Sequence, residues 1–154
     1  MAYVLPLMSF DACSCDEPRE SRVPAITVKQ PFASLIVWGS KTIETRSSNL
    51  LYRGPLVIVS GKKVFDGPSF LKPNASEYYQ QNAALMLQGM AIGVVDLVDC
   101  RPMVPDDEEA ALVPFSEGLF SWVLKNPVQI APFEAPGRLG ISYLPGNKII
   151  VSHF

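Results

Sequence analysis

The stretch that decides the fold is Ile26-Thr-Val-Lys-Gln-Pro-Phe-Ala-Ser-Leu-Ile-Val-Trp-Gly-Ser-Lys-Thr-Ile-Glu-Thr-Arg46. It opens with alternating apolar and polar residues, which predict a short strand ending near Lys29. Pro31 suits the first turn of a helix, and apolar residues then recur at helical spacing up to Gly39, where a left-handed cap would end the helix. β-branched residues follow and predict a second strand that ends at Arg46. A strand, a two-turn helix and a strand therefore meet at one corner.

The rest of the chain repeats this pattern of short elements. Further strands are predicted at residues 56–61, 90–98, 119–124 and 128–133, and further helices at 75–88 and 105–112. Residues 140–144 and 148–151 are two final candidate strands. A turn at Asn126-Pro127 is expected to separate two of these strands. Fourteen prolines and ten glycines disfavour a helical bundle. The sequence predicts an α+β domain, a small and partly open β-barrel of about six or seven strands with two or three short helices.

The composition is typical of one globular domain. The chain has 154 residues, 48% of them hydrophobic, and a formal net charge of −2, which excludes a chain disordered throughout. The longest apolar run, at residues 90–95, is far shorter than the ~20 residues of a membrane-spanning helix, so no membrane contact is expected. Residues 1–22 have no hydrophobic period, and we expect them to form a flexible extension before the folded domain at 23–154.

The cysteines indicate a reducing compartment. Cys13, Cys15 and Cys100 are an odd number of thiols, and Cys13 and Cys15 with the single histidine, His153, do not complete a four-ligand zinc site. The N-terminal residues lack the basic start of a secretory signal. We therefore predict a cytoplasmic protein without a metal or a cofactor.

Basic residues are concentrated in one third of the chain. Residues 23–72 hold seven lysines and arginines and two acidic residues, a net charge of +5, whereas residues 73–154 carry −5. Such an asymmetry can build a local positive potential on an acidic protein. The pattern indicates an anionic ligand, and the alternative is a set of scattered, solvated side chains.

Four blocks of the sequence resemble the ASCH (activating signal cointegrator homology) domain, a branch of the PUA-like superfamily. Its hallmark G-x-K-x-x-E-x-R is matched by Gly39, Lys41, Glu44 and Arg46, and its preceding Gln-Pro-aromatic-Ala stretch is matched by residues 30–33. The blocks lie at residues 26–46, 53–63, 93–99 and 120–127, and the resemblance covers about residues 24–144. It implies a PUA-like fold.

The resemblance also implies two kinds of activity. ASCH domains are similar to RNA-binding PUA domains, and their motif residues gather in a cleft beside the barrel. Some small bacterial members hydrolyse the amide of N4-acetylcytidine with a Lys, Thr and Glu set, and others are reported as ribonucleases. Lys41 matches the lysine of that set, whereas Glu44 stands where those enzymes have the nucleophilic threonine.

The motif residues have chemistry that suits either activity. Burial beside Glu44 would let Lys41 act as a base or stabilise an oxyanion, so these two are the candidate catalytic residues. The planar fork of Arg46 suits a phosphate or a carboxylate. We expect the three charged ends to converge, and the alternative is that Glu44 forms only a structural ion pair.

The full set of candidate ligand-binding residues is Gln30, Lys41, Glu44, Arg46, Lys62, Lys63 and Ser121. Lys62 and Lys63 end a buried strand, where they would either line a groove for a nucleic-acid backbone or form an exposed strand end. Ser121 lies between Phe120 and Trp122, whose rings are expected in the core. Its side chain would then face the other side of the strand, towards the cleft.

Three functions remain open on the sequence alone. The first is a binding module for RNA or a modified nucleoside, favoured by the basic third of the chain. The second is a small hydrolase that acts on a nucleoside amide or on RNA, favoured by Lys41 beside Glu44. The third is a protein-interaction domain, for which the acidic second half gives slight support.

Overall fold

A mixed β-sheet forms the body of the molecule in the computed structural model, which describes residues 3–4 and 21–152. The strands are β1 (Tyr3–Val4), β2 (Arg22–Gln30), β3 (Ile43–Arg46), β4 (Gly54–Val64), β5 (Met90–Pro102), β6 (Phe120–Glu134), β7 (Ile141–Pro145) and β8 (Ile150–Val151). The α-helices are α1 (Phe32–Val37), α2 (Ala75–Asn82) and α3 (Glu108–Ala111). The predicted α+β class with short helices is confirmed.

The sheet is open and does not form the predicted β-barrel, even a partly open one. Seven strands follow one path in the order β1-β8-β6-β5-β4-β2-β7, and β3 pairs with β6 off this path. β2 and β4 run parallel, whereas the other pairs are antiparallel. Closure needs a continuous hydrogen-bonded ladder around the whole sheet. Among the described residues no ladder joins β7 to β3 or to β1.

β6 is one long strand where the sequence predicts two. Asn126 adopts a left-handed backbone with φ +53°, and the register with β5 passes from Asp96↔Lys125 to Val94↔Val128. Asn126 and Pro127 therefore lie opposite Val95 alone and form a bulge with one extra residue. A bulge tolerates proline because the bulged residue makes no ladder hydrogen bond, so no N–H is needed there. No turn forms because β6 pairs with β5 on both sides of the bulge.

The core lies on both faces of the sheet because side chains alternate along each strand. On one face, Ile26 and Ile58 pack beneath α1; on the other, Val57 and Ile149 are equally buried. Gly93 lets α1 approach closely, since a Cβ there would stand 2.5 Å from a methyl of Val37.

The turn after α1 sets the position of the next strand. Gly39 has φ +84°, a conformation that favours glycine. The backbone N–H groups of Ser40 and Lys41 both donate to the carbonyl of Leu35, at 2.9 and 3.0 Å. Lys41 is thereby held directly against the end of the helix.

The boundaries of several elements differ from those predicted; for example, the helix predicted at 105–112 is a 3-10 turn at Pro105–Asp107 followed by α3. α2 ends at Asn82 and a 3-10 turn follows at Ala83–Leu85, so the helix is shorter than the predicted 75–88. Within the predicted extension, Tyr3–Val4 pairs with β8, and β2 begins at Arg22. Residues 5–20, including Cys13 and Cys15, and His153 lie outside the described residues. In the part of the chain that is described, none of the helices has the length and apolar character needed to cross a membrane.

Candidate functional site

An opening in the sheet lies between β3 and β2, and we call it the seam. β7 pairs with β2 only from Arg22 to Ile26. At the next residue, Thr27, the backbone carbonyl accepts a 2.8 Å hydrogen bond from Nη2 of Arg46, the last residue of β3. A side chain therefore spans the gap that a closing strand would have filled.

The charged ends of Lys41, Glu44 and Arg46 meet at the seam. Oε2 of Glu44 lies 3.1 Å from Nη2 of Arg46, and Oε1 lies 3.8 Å from Nζ of Lys41. Glu44 and Arg46 share one face of β3 because side chains alternate along a strand. Lys41 joins them from the turn that follows α1. One carboxylate thus holds two cations, an arrangement that the motif spacing predicts.

Lys41 is almost completely buried, with 1% of its surface exposed. Its amine donates to the carbonyl of Ala111 at the end of α3 and stands 4.6 Å from the centroid of the Phe32 ring. Burial lowers the pKa of Lys41 below its ordinary value; the charge of Glu44 opposes this, and the charge of Arg46 adds to it. Groups from three parts of the chain cover the amine, so a ligand cannot reach it without displacing one of them.

Arg46 is the solvent-facing member of the three. Its side chain is 26% exposed, and among the described residues both of its hydrogen bonds use the same nitrogen, Nη2. Nη1 and Nε keep their donors. The guanidinium carbon also lies 6.0 Å from the centroid of the Trp122 ring, whose indole N–H donates to the carbonyl of Ser48. The guanidinium is oriented from one side and available on the other.

A second arginine lies near the seam, and sequence reasoning missed it. The backbone N–H of Arg138 donates to Oγ1 of Thr27 at 3.1 Å, on the same residue whose carbonyl receives Arg46. Arg138 is exposed. Because 111 residues separate Arg138 from Thr27 along the chain, no local pattern could have brought them together.

Lys62 and Lys63 are exposed on a bulge at the end of β4. The register with β2 passes from Val28↔Ser60 to Gln30↔Val64, so three residues of β4 lie opposite Lys29 alone. Lys29 is exposed as well. The bulge therefore gathers three lysines, Lys29, Lys62 and Lys63, at one end of two parallel strands, and we call them the lysine bulge.

Gln30 is fully buried, and its amide is occupied. Nε2 donates to Oγ of Ser34 at 2.8 Å and to the carbonyl of Leu87 at 2.7 Å, while Oε1 accepts from the backbone N–H of Ser34. These bonds tie the start of α1 to the segment after α2. Gln30 thus acts on the framework, and its hydrogen bonds do not reach the three charged ends.

Ser121 faces away from those charged ends. In the register of β3, β6 and β5 it lies in one row with Thr45 and Arg101, whereas Glu44 lies in the next row with Trp122. Adjacent rows point to opposite faces of a sheet. Oγ of Ser121 donates to Oδ2 of Asp107 at 2.8 Å, and the residue has no exposed surface.

Asp107 is the centre of a second polar cluster, although its acidic run reads as a solvated helix start in the sequence. The guanidinium of Arg101 donates two hydrogen bonds of 2.7 and 2.8 Å to its carboxylate, and the backbone N–H of Val104 donates a third. The hydrogen bonds from Arg101 hold the pKa of Asp107 far below its ordinary value, although burial opposes them. The cluster anchors the segment that leads to α3, whose last carbonyl contacts Lys41.

The described residues contain no group of three histidine, cysteine, aspartate or glutamate side chains placed to hold a metal ion. The site is accordingly built from fixed charges and backbone carbonyls.

Comparison with known proteins gives a family and a fold. The family model of the ASCH domain matches residues 26–134. The crystal structure of ASCH from Zymomonas mobilis superimposes with a TM-score of 0.56 at 14% identity, covering 81% of this chain and 89% of that chain. A single-substitution variant of the same protein gives 0.52 at 15% identity, over 82% of this chain and 91% of that chain. Identities this low show a shared fold alone. No curated protein sequence matches the chain.

Proposed function

Because the chain belongs to the ASCH domain family, we propose that it binds RNA or a modified nucleoside at the mouth of the seam, through the exposed edge of Arg46. The observation that carries this proposal is the guanidinium that Glu44 and Thr27 hold through Nη2 alone, on a side chain that is 26% exposed. A planar fork fixed in this way is suited to two oxygens of one phosphate.

Lys41 and Glu44 position Arg46 in this proposal. The carboxylate of Glu44 contacts Arg46 directly, and Lys41 supports the carboxylate from the buried side. Burying an ion pair costs desolvation energy that the mutual attraction often does not recover. A buried Lys–Glu pair that stabilises little by itself is therefore consistent with a role in orienting a third group.

The lysine bulge and Arg138 supply further positive charge for a phosphate backbone. Lys62, Lys63 and Lys29 are exposed on the bulge, and Arg138 follows Gly137, which packs against Thr27. Contacts of this kind neutralise phosphates without reading the sequence of the nucleic acid. We infer that single strands are preferred, because bases that are not paired remain accessible to protein groups.

The test is a fluorescence-anisotropy titration with a short labelled single-stranded RNA. Arg46→Lys keeps the charge and loses the fork, and we expect it to weaken binding about tenfold. Arg22→Lys is the matched control, since Arg22 is an exposed arginine at the other end of β2. The proposal would be contradicted if neither Arg46→Lys nor Arg22→Lys changed the affinity for RNA. If the protein did not bind RNA at low salt, the protein-interaction alternative would be favoured instead.

Hydrolysis of a nucleoside amide is the second candidate, favoured by the lowered pKa of Lys41 beside Glu44. In that reaction water would cleave the amide C–N bond of N4-acetylcytidine and release acetate and cytidine. The substrate would have to displace the carbonyl of Ala111 from the amine of Lys41. Release of cytidine that Lys41→Ala abolishes would support this candidate, and the absence of release by the unaltered protein would exclude this reaction.

A further inference from the structure

A cavity away from the seam shares no lining residue with the charged site there. It has a volume of about 130 Å³ and lies between α1, the segment after α2, and strands β5 and β6. Its apolar walls include Val37, Ile92 and Ile130, all buried in the protein. A cavity of about 150 Å³ with similar walls holds one benzene ring, so this one matches a single six-membered ring.

One wall of the cavity carries a buried hydroxyl. Ser34 lines the cavity and is only 3% exposed. Its Oγ accepts a 2.8 Å hydrogen bond from Gln30, whose amide is held in turn by the carbonyl of Leu87. Among the described residues no acceptor takes the hydroxyl hydrogen of Ser34. The oxygen of this hydroxyl is thus held in place while its O–H group makes no hydrogen bond. A buried donor without an acceptor destabilises the protein, and a ligand that supplies an acceptor would remove that cost.

The mouth of the cavity is marked by an indole ring. Trp38 lines the opening and is 39% exposed. Leu85 and Leu87 also line the cavity, and both are exposed. Gln129, which is also exposed, adds a polar amide to the rim. A flat ring entering here would cover apolar surface, meet an aromatic side chain and reach the Ser34 hydroxyl.

We propose that this cavity binds one flat heteroaromatic ring that bears a hydrogen-bond acceptor and is the size of a single pyrimidine. The acceptor meets the hydroxyl of Ser34, and the substituent of the ring leaves through the mouth beside Trp38. The ring comes either from a free nucleoside or from an unstacked base of an RNA strand. Only the second source rests on the RNA binding at Arg46 that the proposed function describes.

The two tryptophans of the chain allow a direct test. Trp38 lines the cavity, whereas Trp122 is buried in the core beside the seam. In ¹⁵N-labelled protein each gives one indole N–H signal, and Trp38→Phe identifies the pair. We expect uridine to move the Trp38 signal saturably and at high salt as well as low, and a short oligouridylate to move it more strongly if the ring belongs to RNA. Toluene, a ring of the same size without an acceptor, serves as the reference ligand.

The hydroxyl is tested by Ser34→Ala, with Ser116→Ala at an exposed position as the matched control. We expect Ser34→Ala to weaken uridine binding by up to about tenfold, the range of one net hydrogen bond, and to leave toluene binding unchanged. Unchanged toluene binding also shows that the variant keeps the cavity.

The proposal is overturned if neither uridine nor the oligouridylate moves the Trp38 signal, or if toluene alone does. Its failure is separable from that of the proposed function. A Trp38 response to uridine without salt-dependent RNA binding at Arg46 would remove the proposed function and leave the cavity assignment standing.

Discussion

The guanidinium of Arg46 donates a 2.8 Å hydrogen bond to the backbone carbonyl of Thr27, across the opening between β3 and β2. The same nitrogen lies 3.1 Å from the carboxylate of Glu44. The last residue of the G-x-K-x-x-E-x-R motif therefore joins two strands that share no backbone ladder. The point where the sheet stays open is also the point where a charged group is held at the surface.

RNA affinity should fall as the salt concentration rises, and the steepness of this fall should depend on the lysine bulge. If three or four of the basic residues at the seam and the bulge take part, log affinity should fall against log salt with a slope of about −2 to −3. Lys62→Ala with Lys63→Ala should flatten the slope by about 1 to 1.5 units. Lys125→Ala with Lys148→Ala removes the same charge from the acidic part of the chain and should leave the slope nearly unchanged. Equal slopes for the two double variants would rule out the bulge as a contact.

The free energy of unfolding should depend on pH through the buried amine of Lys41. Burial lowers the pKa of Lys41, so the unfolded state binds more protons than the folded state between that lowered pKa and the ordinary value of 10.5. In this window the unfolding free energy should rise with pH by at most about 1.4 kcal/mol per pH unit relative to Lys41→Met. Urea unfolding at several pH values measures this difference. Lys125→Met, at an exposed position, is the control, and a wild-type curve parallel to that of Lys41→Met would contradict the expectation.

Asp107→Asn should destabilise the fold by about 1–3 kcal/mol near neutral pH, because Arg101 and Ser121 lose a charged acceptor that is buried between them. The pKa of Asp107 lies far below its ordinary value of 3.8. The stabilisation that the Asp107 carboxylate contributes is therefore fully present above pH 3.8 and is lost as the pH falls through the lowered pKa. The difference between the two proteins should therefore shrink only in strong acid. Asp106→Asn, next to it and exposed, should change stability by less than about 0.5 kcal/mol.

The effect of deleting N-terminal residues on stability should depend strongly on whether the deletion reaches β2. Deleting residues 1–20 removes β1, which adds two residue pairs at the edge of the sheet, and should change stability by less than about 1 kcal/mol. Deleting residues 1–24 also removes the pairing of Arg22, Val23 and Pro24 with β7 and should cost clearly more. Thermal unfolding of the two truncated proteins decides the point, and a large loss in the shorter deletion would show that residues 1–20 pack as part of the domain.

Local chemistry explains which elements could be predicted. The sequence predicts α1 correctly because Pro31 and Gly39 bound a helically spaced apolar run. The turn predicted at Asn126-Pro127 is a bulge, because turns and bulges use the same residue types and only pairing with β5 distinguishes them. Asp107 was missed because its burial depends on Arg101, which approaches it from a neighbouring strand.

By itself, the sequence determined the corner at residues 26–46 and the meeting of Lys41, Glu44 and Arg46, because both follow from spacing along a short stretch of chain. It also determined the family and the α+β class, because motif blocks and short elements can be identified one by one along residues 24–144. Only the tertiary structure decided that the sheet stays open, that Gln30 and Ser121 turn into the framework, and that Arg138 stands beside Thr27. The physical reason is the range of the interactions. Periodicity and turn chemistry act over a few residues, whereas strand order, burial and the partner of a polar group depend on segments that are distant in the chain and meet only when the core is packed.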